Sequence, residues 1–216
     1  MAAAPQLAGI ALCPALESGD HMDAAEFHRR YEQRHDLKKA ELIDGVVYVP
    51  SPARSAQSNA RFRLIGELGM YARSAAGVIG ATRATLRAGP RNEPQPDVML
   101  CWDAEHGGRS RVDADSYLTG APELVAEVAA SSLAYDLYEK KELYRRLGVQ
   151  EHLVWQVEDR RIDWWELRDG EYVRLAADAD GRVHSSVFPG LALDVPSLVG
   201  SQPAPAKKQR QRRAKA

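Results

Sequence analysis

The chain has 216 residues, of which 44% are hydrophobic and 27% charged, and it contains no run of about 18 apolar residues. This composition excludes a membrane-spanning helix, a collagen-like or coiled-coil fibre and wholesale disorder, and it favours one globular domain. The net charge of −1 conceals an asymmetry, because residues 201–216 carry six Lys and Arg and no acid, whereas the remainder carries 23 Lys and Arg against 30 Asp and Glu.

The hydrophobic pattern predicts the secondary structure in chain order. Asp23 favours the start of the first helix, and Asp136 near the N-cap and Gly148 after the last turn are expected to bound the third. The predicted elements are a helix over 22–34, a hairpin over 41–50 turning at Asp44-Gly45, a helix over 58–73, strands near 78–87 and 97–102, a polar loop over 103–120, a buried strand over 123–130, a helix over 136–148, strands over 152–158, 161–168 and 171–176, and a closing segment over 187–198. This order predicts an α/β or α+β domain around a mixed sheet.

The predicted domain has a segment on either side of it. Residues 1–20 show no periodicity and are expected to form a loose leader, without the basic start of a signal peptide. Residues 21–200 form the predicted domain. Residues 201–216 lack bulky apolar side chains, so they predict a disordered basic tail, which either contacts nucleic acid or aids solubility.

Two acidic residues interrupt apolar strands. Glu127 shares a face with Val125 and Ala129 in a strand that otherwise reads as buried, and an unpaired buried carboxylate is costly. Asp97 opens the strand that follows Pro96. If the two strands are neighbours, both carboxylates can bind one Mg²⁺ ion, whereas the ordinary alternatives are a turn cap for Asp97 and an arginine partner for Glu127.

A lysine and a third acid extend this pattern. Asp136, Lys140 and Tyr144 recur every four residues and therefore share one helix face, which we expect to point inward. Lys140 is either a simple partner of Asp136 or a cation that orients water and offsets phosphate charge beside the carboxylates. Glu41 opens the hairpin, where an acid more commonly faces solvent.

Taken in order, these motifs resemble the Uma-type putative restriction endonucleases of the PD-(D/E)xK nuclease superfamily. The resemblance covers about residues 22–199. It rests on ELIDG, Ser51-Pro52, QPDVML, PELVAEV, DLYEKKELYRRLGVQEHLVWQV and FPGLALDV. It implies a restriction-endonuclease-like fold, a mixed sheet flanked by helices with a β-hairpin near the N-terminus.

The resemblance also implies a site. Asp97 and Glu127 would bind Mg²⁺, or Mn²⁺ in its place, together with the backbone carbonyl of Val128. Lys140 would orient the attacking water. Glu41 would be an accessory catalytic acid, and Gln95 is expected to line the site.

In the family that the chain resembles, the superfamily lysine, which usually lies two residues after the acid, is moved to the next helix. This chain has Ala129 at the usual position and Lys140 where the family's helix lysine falls. The sequence departs from the family pattern at two places. After the glutamate, where members usually have a Ser-Pro-Ser-Thr-like stretch, this chain has Ala130-Ser131-Ser132-Leu133. Many members have a histidine after the Ser-Pro pair, where this chain has Ser58. The loss of that imidazole puts substrate positioning in question.

Two functions remain open at this stage. The first is a Mg²⁺-dependent endonuclease that hydrolyses phosphodiester bonds, with DNA as the expected partner. The alternative is a catalytically weak or inactive nuclease-like module that binds nucleic acid or protein. Basic residues outside the tail that are able to contact a phosphate backbone are Arg54, Arg61, Arg63, Arg83 and Arg87.

Cysteine and tryptophan positions bear on setting and assembly. Cys13 and Cys101 have no CxxC spacing, so the sequence predicts neither a disulfide framework nor a zinc site, and we expect a reducing, cytoplasmic setting.

Trp164 and Trp165 must face opposite sides of one strand. One of them is therefore expected to be exposed or at an interface, which suggests a homodimer.

Overall fold

A computed structural model describes residues 14–130 and 133–200, so the basic tail 201–216 and the first part of the leader, 1–13, lie outside the described residues. The helices are α1 (Ala24–Glu32), α2 (Ser55–Ser74), α3 (Leu133–Leu137), α4 (Glu139–Leu147) and α5 (Val195–Gly200). The strands are β1 (Glu41–Ile43), β2 (Val46–Tyr48), β3 (Val78–Ala81), β4 (Leu86–Arg87), β5 (Val98–Trp102), β6 (Arg111–Val112), β7 (Leu118–Thr119), β8 (Leu124–Ala129), β9 (Glu151–Gln156), β10 (Arg161–Arg168), β11 (Glu171–Arg174), β12 (Arg182–His184) and β13 (Ala192–Asp194).

A mixed sheet forms the centre of the domain. Among the described residues it has six strands in the order β11-β10-β9-β8-β5-β3. β8 and β9 are parallel and every other neighbouring pair is antiparallel. The predicted mixed sheet flanked by helices, with a hairpin near the N-terminus, is therefore confirmed.

Alternate residues of β8 serve two hydrophobic layers. Leu124 and Val128 pack in one cluster with side chains of α2 and α5, whereas Val125 packs in another with Leu143 and Tyr144 of α4. Because both faces of the strand are covered, all six of its residues are buried. Glu127 is thus buried by its position in the strand.

The hairpin β1–β2 turns where the sequence predicts. Asp44 and Gly45 both have positive φ, 51° and 81°, as a type I′ turn requires, and glycine adopts this conformation without a Cβ clash. The hairpin packs with α1, which begins at the predicted cap: Asp23 accepts a hydrogen bond from the Glu26 N–H. Glu41, at the start of β1, lies on the opposite face of the strand, with Ile43, and is buried there against α4.

The helix predicted over 136–148 is two helices. Tyr138 separates α3 from α4 with φ −118° and ψ −70°, so Asp136 lies inside α3 and is not an N-cap. Gly148 ends α4 in the left-handed conformation, as predicted. The break leaves Lys140 in the first turn of α4.

Three further expectations are corrected. Residues 14–20 are not loose, because Leu16 is buried and the Gly19 N–H donates to the Val47 carbonyl. The loop predicted over 103–120 contains β6 and β7. Trp164 and Trp165 do face opposite sides of β10, but both are buried, since Lys141 lies 3.7 Å above the Trp165 ring.

The predicted second helix is α2, and it buries one face. Ala60, Leu64 and Leu68 form its buried face, whereas Phe62 and Met70 are exposed. Within the described residues no helix is both long enough and apolar enough to cross a membrane.

Candidate active site

The register of the central sheet brings the two predicted acids together. Val98 pairs with Ala126 across β5 and β8, so one further step places Asp97 opposite Glu127. The Asp97 N–H lies 3.4 Å from Glu127 Oε2, and both side chains are buried. The sequence expectation depended on the strands being neighbours, and they are.

Asp97 is bound through both carboxylate oxygens. Oδ2 accepts the backbone N–H of Val128 at 2.9 Å. Oδ1 accepts Nε–H of Arg61, from α2, at 2.8 Å. The carboxylate therefore connects β8 to α2.

Glu127 meets the predicted lysine. Lys140 Nζ lies 2.5 Å from Glu127 Oε1, and the hydroxyl of Tyr144, one turn later on α4, donates to the same oxygen at 2.9 Å. Burial raises the pKa of Glu127 to about 7, although the ammonium of Lys140 acts in the opposite direction. Burial would lower the pKa of Lys140, but Glu127 and Glu41 outweigh it and raise that pKa well above the ordinary value.

Glu41 belongs to the same buried cluster and does not face solvent. Its Oε1 lies 2.9 Å from Lys140 Nζ and accepts the Gln95 N–H at 2.7 Å, and Lys39 Nζ is 3.4 Å from Oε2. Burial opposes ionisation of Glu41, but Lys140 and Lys39 prevail, so its pKa is lowered. Asp136 Oδ1 is 3.5 Å from the Lys140 ammonium.

A cavity of about 880 Å³ opens onto this cluster, which places it within the usual size range of ligand pockets. Its wall combines the buried carboxylates with basic side chains and the start of α2. The lining residues include Lys38, Lys39, Glu41, Gln57, Ser58, Arg61, Arg83, Asp97, Glu127 and Val128.

The remaining candidate residues divide between this cavity and other parts of the fold. Ser58 lines the cavity on α2. The Gln95 side chain does not line it: its amide donates to Tyr31 and Thr85, and only its backbone reaches the site. Arg63 binds carbonyls of α5, and Arg87 binds Asp113 and Asp115.

Sequence reasoning did not predict several contacts that complete the cluster. Gln57 donates to the Val128 carbonyl at 2.9 Å, Arg61 binds Asp97, and Lys39 binds Glu41. The spacing of Tyr144, four residues after Lys140, was the signal for its position. No comparable pattern pointed to Gln57, because the turn of α2 that faces the cavity is largely polar.

The donor atoms suit a divalent ion. Within residues 14–130 and 133–200, no three His, Cys, Asp or Glu side chains form a group able to hold a metal ion. Mg²⁺ does not need such a group, since it is commonly held by one or two carboxylates together with water and phosphate oxygens. Asp97 Oδ1, Glu127 and the Val128 carbonyl supply hard oxygens at one cavity, and Arg61 and Gln57 donate to two of them. These residues fit the ion.

Comparisons with known proteins bear on this geometry. The family model Uma2, described as "Putative restriction endonuclease", matches residues 24–196. The chain belongs to the Uma2 family. Asp97, Glu127 and Lys140 all lie within this Uma2 match. No curated protein matches the sequence.

A solved structure supports the Uma2 assignment at the level of the fold. The chain is similar to a protein from Anabaena variabilis that is titled a putative nuclease belonging to DUF820, with 14% sequence identity and a TM-score of 0.59. The similarity covers 74% of this chain and 90% of the other. At that identity the likeness shows the fold alone.

Proposed function

We propose that this protein is a Mg²⁺-dependent endonuclease that hydrolyses phosphodiester bonds, with DNA as its substrate and Mn²⁺ as an alternative ion. One observation carries the proposal: Asp97 and Glu127 meet across β5 and β8, with Lys140 on Glu127, at a cavity that also presents basic side chains. Uma2 membership supports the reaction class.

Asp97 and Glu127 would hold the ion, helped by the Val128 carbonyl. When bound, such an ion polarises a phosphate and lowers the pKa of water. The carboxylates are fixed before substrate arrives, because Asp97 accepts the Val128 N–H and Glu127 accepts the Tyr144 hydroxyl. This pre-organisation favours an in-line geometry.

Lys140 would position the attacking water. Its raised pKa keeps the ammonium protonated at neutral pH, so it donates hydrogen bonds and offsets developing negative charge, and it does not accept the proton. Glu41 shares the ammonium and holds it between two strands. We therefore assign Glu41 an accessory role through Lys140.

Basic residues at the cavity favour a polyanionic substrate. Lys38 and Arg83 are exposed at its wall, and Arg83 donates to the Lys38 carbonyl, which joins the two segments. The body outside residues 201–216 is acidic, so these cations give nucleic acid a local attractive surface.

The second candidate is a nuclease-like module that binds nucleic acid or protein without cutting. Ser58 favours it, because this residue stands at the cavity where many family members have a histidine. Metal binding at Asp97 without cleavage of varied DNA and RNA would select this candidate.

Cleavage of supercoiled plasmid with Mg²⁺ or Mn²⁺ tests the proposal. Asp97→Asn should lower the cleavage rate by about 10³-fold. Asp103→Asn is the matched control, since Asp103 follows the opposite end of β5 and should leave the rate unchanged. Mg²⁺ should also raise the melting temperature of the wild type and not of Asp97→Asn.

Besides metal binding without cleavage, two outcomes would overturn the proposal. The first is wild-type cleavage by a folded Asp97→Asn variant. The second is the absence of any Mg²⁺ or Mn²⁺ effect on the wild-type melting temperature.

The homodimer and the cytoplasmic setting stay predictions. The tryptophan that was expected to be exposed is buried, and Phe62 and Met70 on α2 are among the exposed apolar side chains that would serve a dimer. Sedimentation at tens of micromolar measures the oligomeric state directly, and a monomer would remove this prediction.

A further inference from the structure

The cation that neutralises Asp97 comes from α2. Asp97 Oδ2 accepts the Val128 N–H, so Oδ1 is the oxygen that faces a cation, and Arg61 Nε binds it at 2.8 Å. An ion bound by Asp97 through Oδ1 would compete directly with this guanidinium.

A second residue of α2 covers another proposed donor atom. Gln57, one helical turn before Arg61, donates its side-chain amide to the Val128 carbonyl at 2.9 Å. The first turns of α2 therefore cover two of the oxygens that the ion would use, Asp97 Oδ1 and the Val128 carbonyl. Both side chains line the cavity, so each has space into which it can move.

The position of Arg61 suits a second partner. Its side chain is 21% exposed while Asp97 is buried, so the guanidinium lies between the carboxylate and the open part of the cavity. A guanidinium has five N–H donors in a planar fork that matches phosphate oxygens, and the contact with Asp97 uses Nε–H. A phosphate in the cavity would lie within reach of the same side chain.

We propose that Arg61 is a substrate-binding residue that exchanges partners: it holds Asp97 until a divalent ion takes Oδ1, and it then binds a phosphate of the nucleic acid. This inference rests on the proposed function. The exchange couples the two ligands, because ion binding frees the guanidinium and phosphate binding keeps it away from Asp97. Each ligand then strengthens binding of the other by the same factor.

The test measures metal and DNA binding separately in Arg61→Gln, Arg61→Lys and a control, Arg73→Gln. Arg73 lies on the exposed last turn of the same helix, about 18 Å from Arg61 along the helix axis. Its substitution by Gln removes the same charge as Arg61→Gln. Calorimetric titration with Ca²⁺ or Mg²⁺ is done without nucleic acid. Binding of a short fluorescent DNA duplex is then measured in Ca²⁺.

Arg61→Gln should bind the ion about 10-fold more tightly than wild type, because the competing cation is gone, and should bind the duplex about 10-fold more weakly. Arg61→Lys should retain wild-type affinity for the ion and still lose affinity for the duplex, since lysine keeps the charge without the fork. Arg73→Gln should match wild type in the titration.

The outcomes separate this inference from the proposed function. If the wild type binds no ion, both fail. If the wild type binds an ion through Asp97 and Arg61→Gln binds it equally or more weakly, Arg61 only supports the carboxylate, and this inference alone is overturned. Unchanged duplex binding by Arg61→Gln would also overturn it.

Discussion

At the two ends of the parallel pair β8–β9 the protein buries carboxylates in two different ways. Near the amino ends, Glu151 accepts the hydroxyls of Ser185 and Ser186 and the Ser186 N–H. Toward the carboxyl end, Glu127 and Glu41 share the Lys140 ammonium beside a cavity. Both ends hold buried acids, and those at the carboxyl end line the cavity.

The difference lies in the hydrogen-bond donors. Neutral donors around Glu151 satisfy its oxygens: the hydroxyls of Ser185 and Ser186 and the backbone N–H groups of Ser186 and Val187. Such a carboxylate joins segments of the fold. At the carboxyl end, acids are held together mainly by side-chain cations, so their ionisation depends on every neighbour. A folded protein gains little stability from that arrangement, and a function explains it better.

Removing the shared cation should have the largest effect on stability. Lys140→Met leaves Glu127 and Glu41 buried without their common partner, so the free energy of unfolding at pH 8 should fall by about 3–5 kcal/mol. Lys141→Met is the control: it loses the contact with the Trp165 ring, worth about 1 kcal/mol or less. Urea denaturation measures both. Equal losses would show that the cluster is no different from an ordinary surface contact.

The raised pKa of Glu127 gives a smaller effect with a defined sign. Because its carboxyl has a pKa of about 7 in the folded protein and 4.5 ordinarily, the folded state binds this proton more tightly. Wild-type stability should therefore fall as pH rises from 4.5 to 7, by at most about 3 kcal/mol. Glu127→Gln lacks this titration.

The measurement is the melting temperature of both proteins in EDTA at several pH values. As the pH rises from 4.5 to 8, Glu127→Gln should become more stable relative to wild type. Its altered contact with Lys140 adds a difference in melting temperature that does not change with pH. A difference that does not change with pH would contradict the assignment.

Substitution of Glu151, whose carboxylate is fully hydrogen-bonded, should give the smallest change in the free energy of unfolding and no effect on catalysis. Glu151→Gln replaces one acceptor oxygen with a donor among N–H and O–H groups, which should cost about 1–2 kcal/mol in urea denaturation. The plasmid cleavage rate of the folded variant should stay at the wild-type value. A large loss of cleavage would mean that the two ends act together.

Much of the fold follows from local sequence patterns. Asp44-Gly45 specified the hairpin turn and Gly148 the end of α4, because each motif requires a particular backbone conformation. The break at Tyr138 did not follow, since nothing in Asp136-Leu137-Tyr138-Glu139 interrupts the helical pattern. The exposure of Phe62 and Met70 did not follow either, because periodicity alone does not say which side of α2 meets the sheet.

The sequence predicted the site residues whose charged side chains interrupt an otherwise apolar pattern. Glu127 stood out in a buried strand, and Lys140 through its spacing from Tyr144. Arg61 and Gln57 were not predictable as contacts, because polar residues on a half-exposed helix are ordinary until the sheet beside them is known. The structure shows that the sheet lies beside this part of α2.

The pairing of β5 with β8 has a consequence for how the chain tolerates change. Asp97 and Glu127 are cross-strand partners, so their separation is set by the ladder and not by residues 103–123 that run between the strands. This connecting segment can be shortened or lengthened while the two acids stay opposite each other. One residue inserted within β5 or β8, in contrast, would turn one acid away from the other. The relative position of the two acids is therefore independent of the length of this connection and sensitive to a one-residue shift within the central sheet.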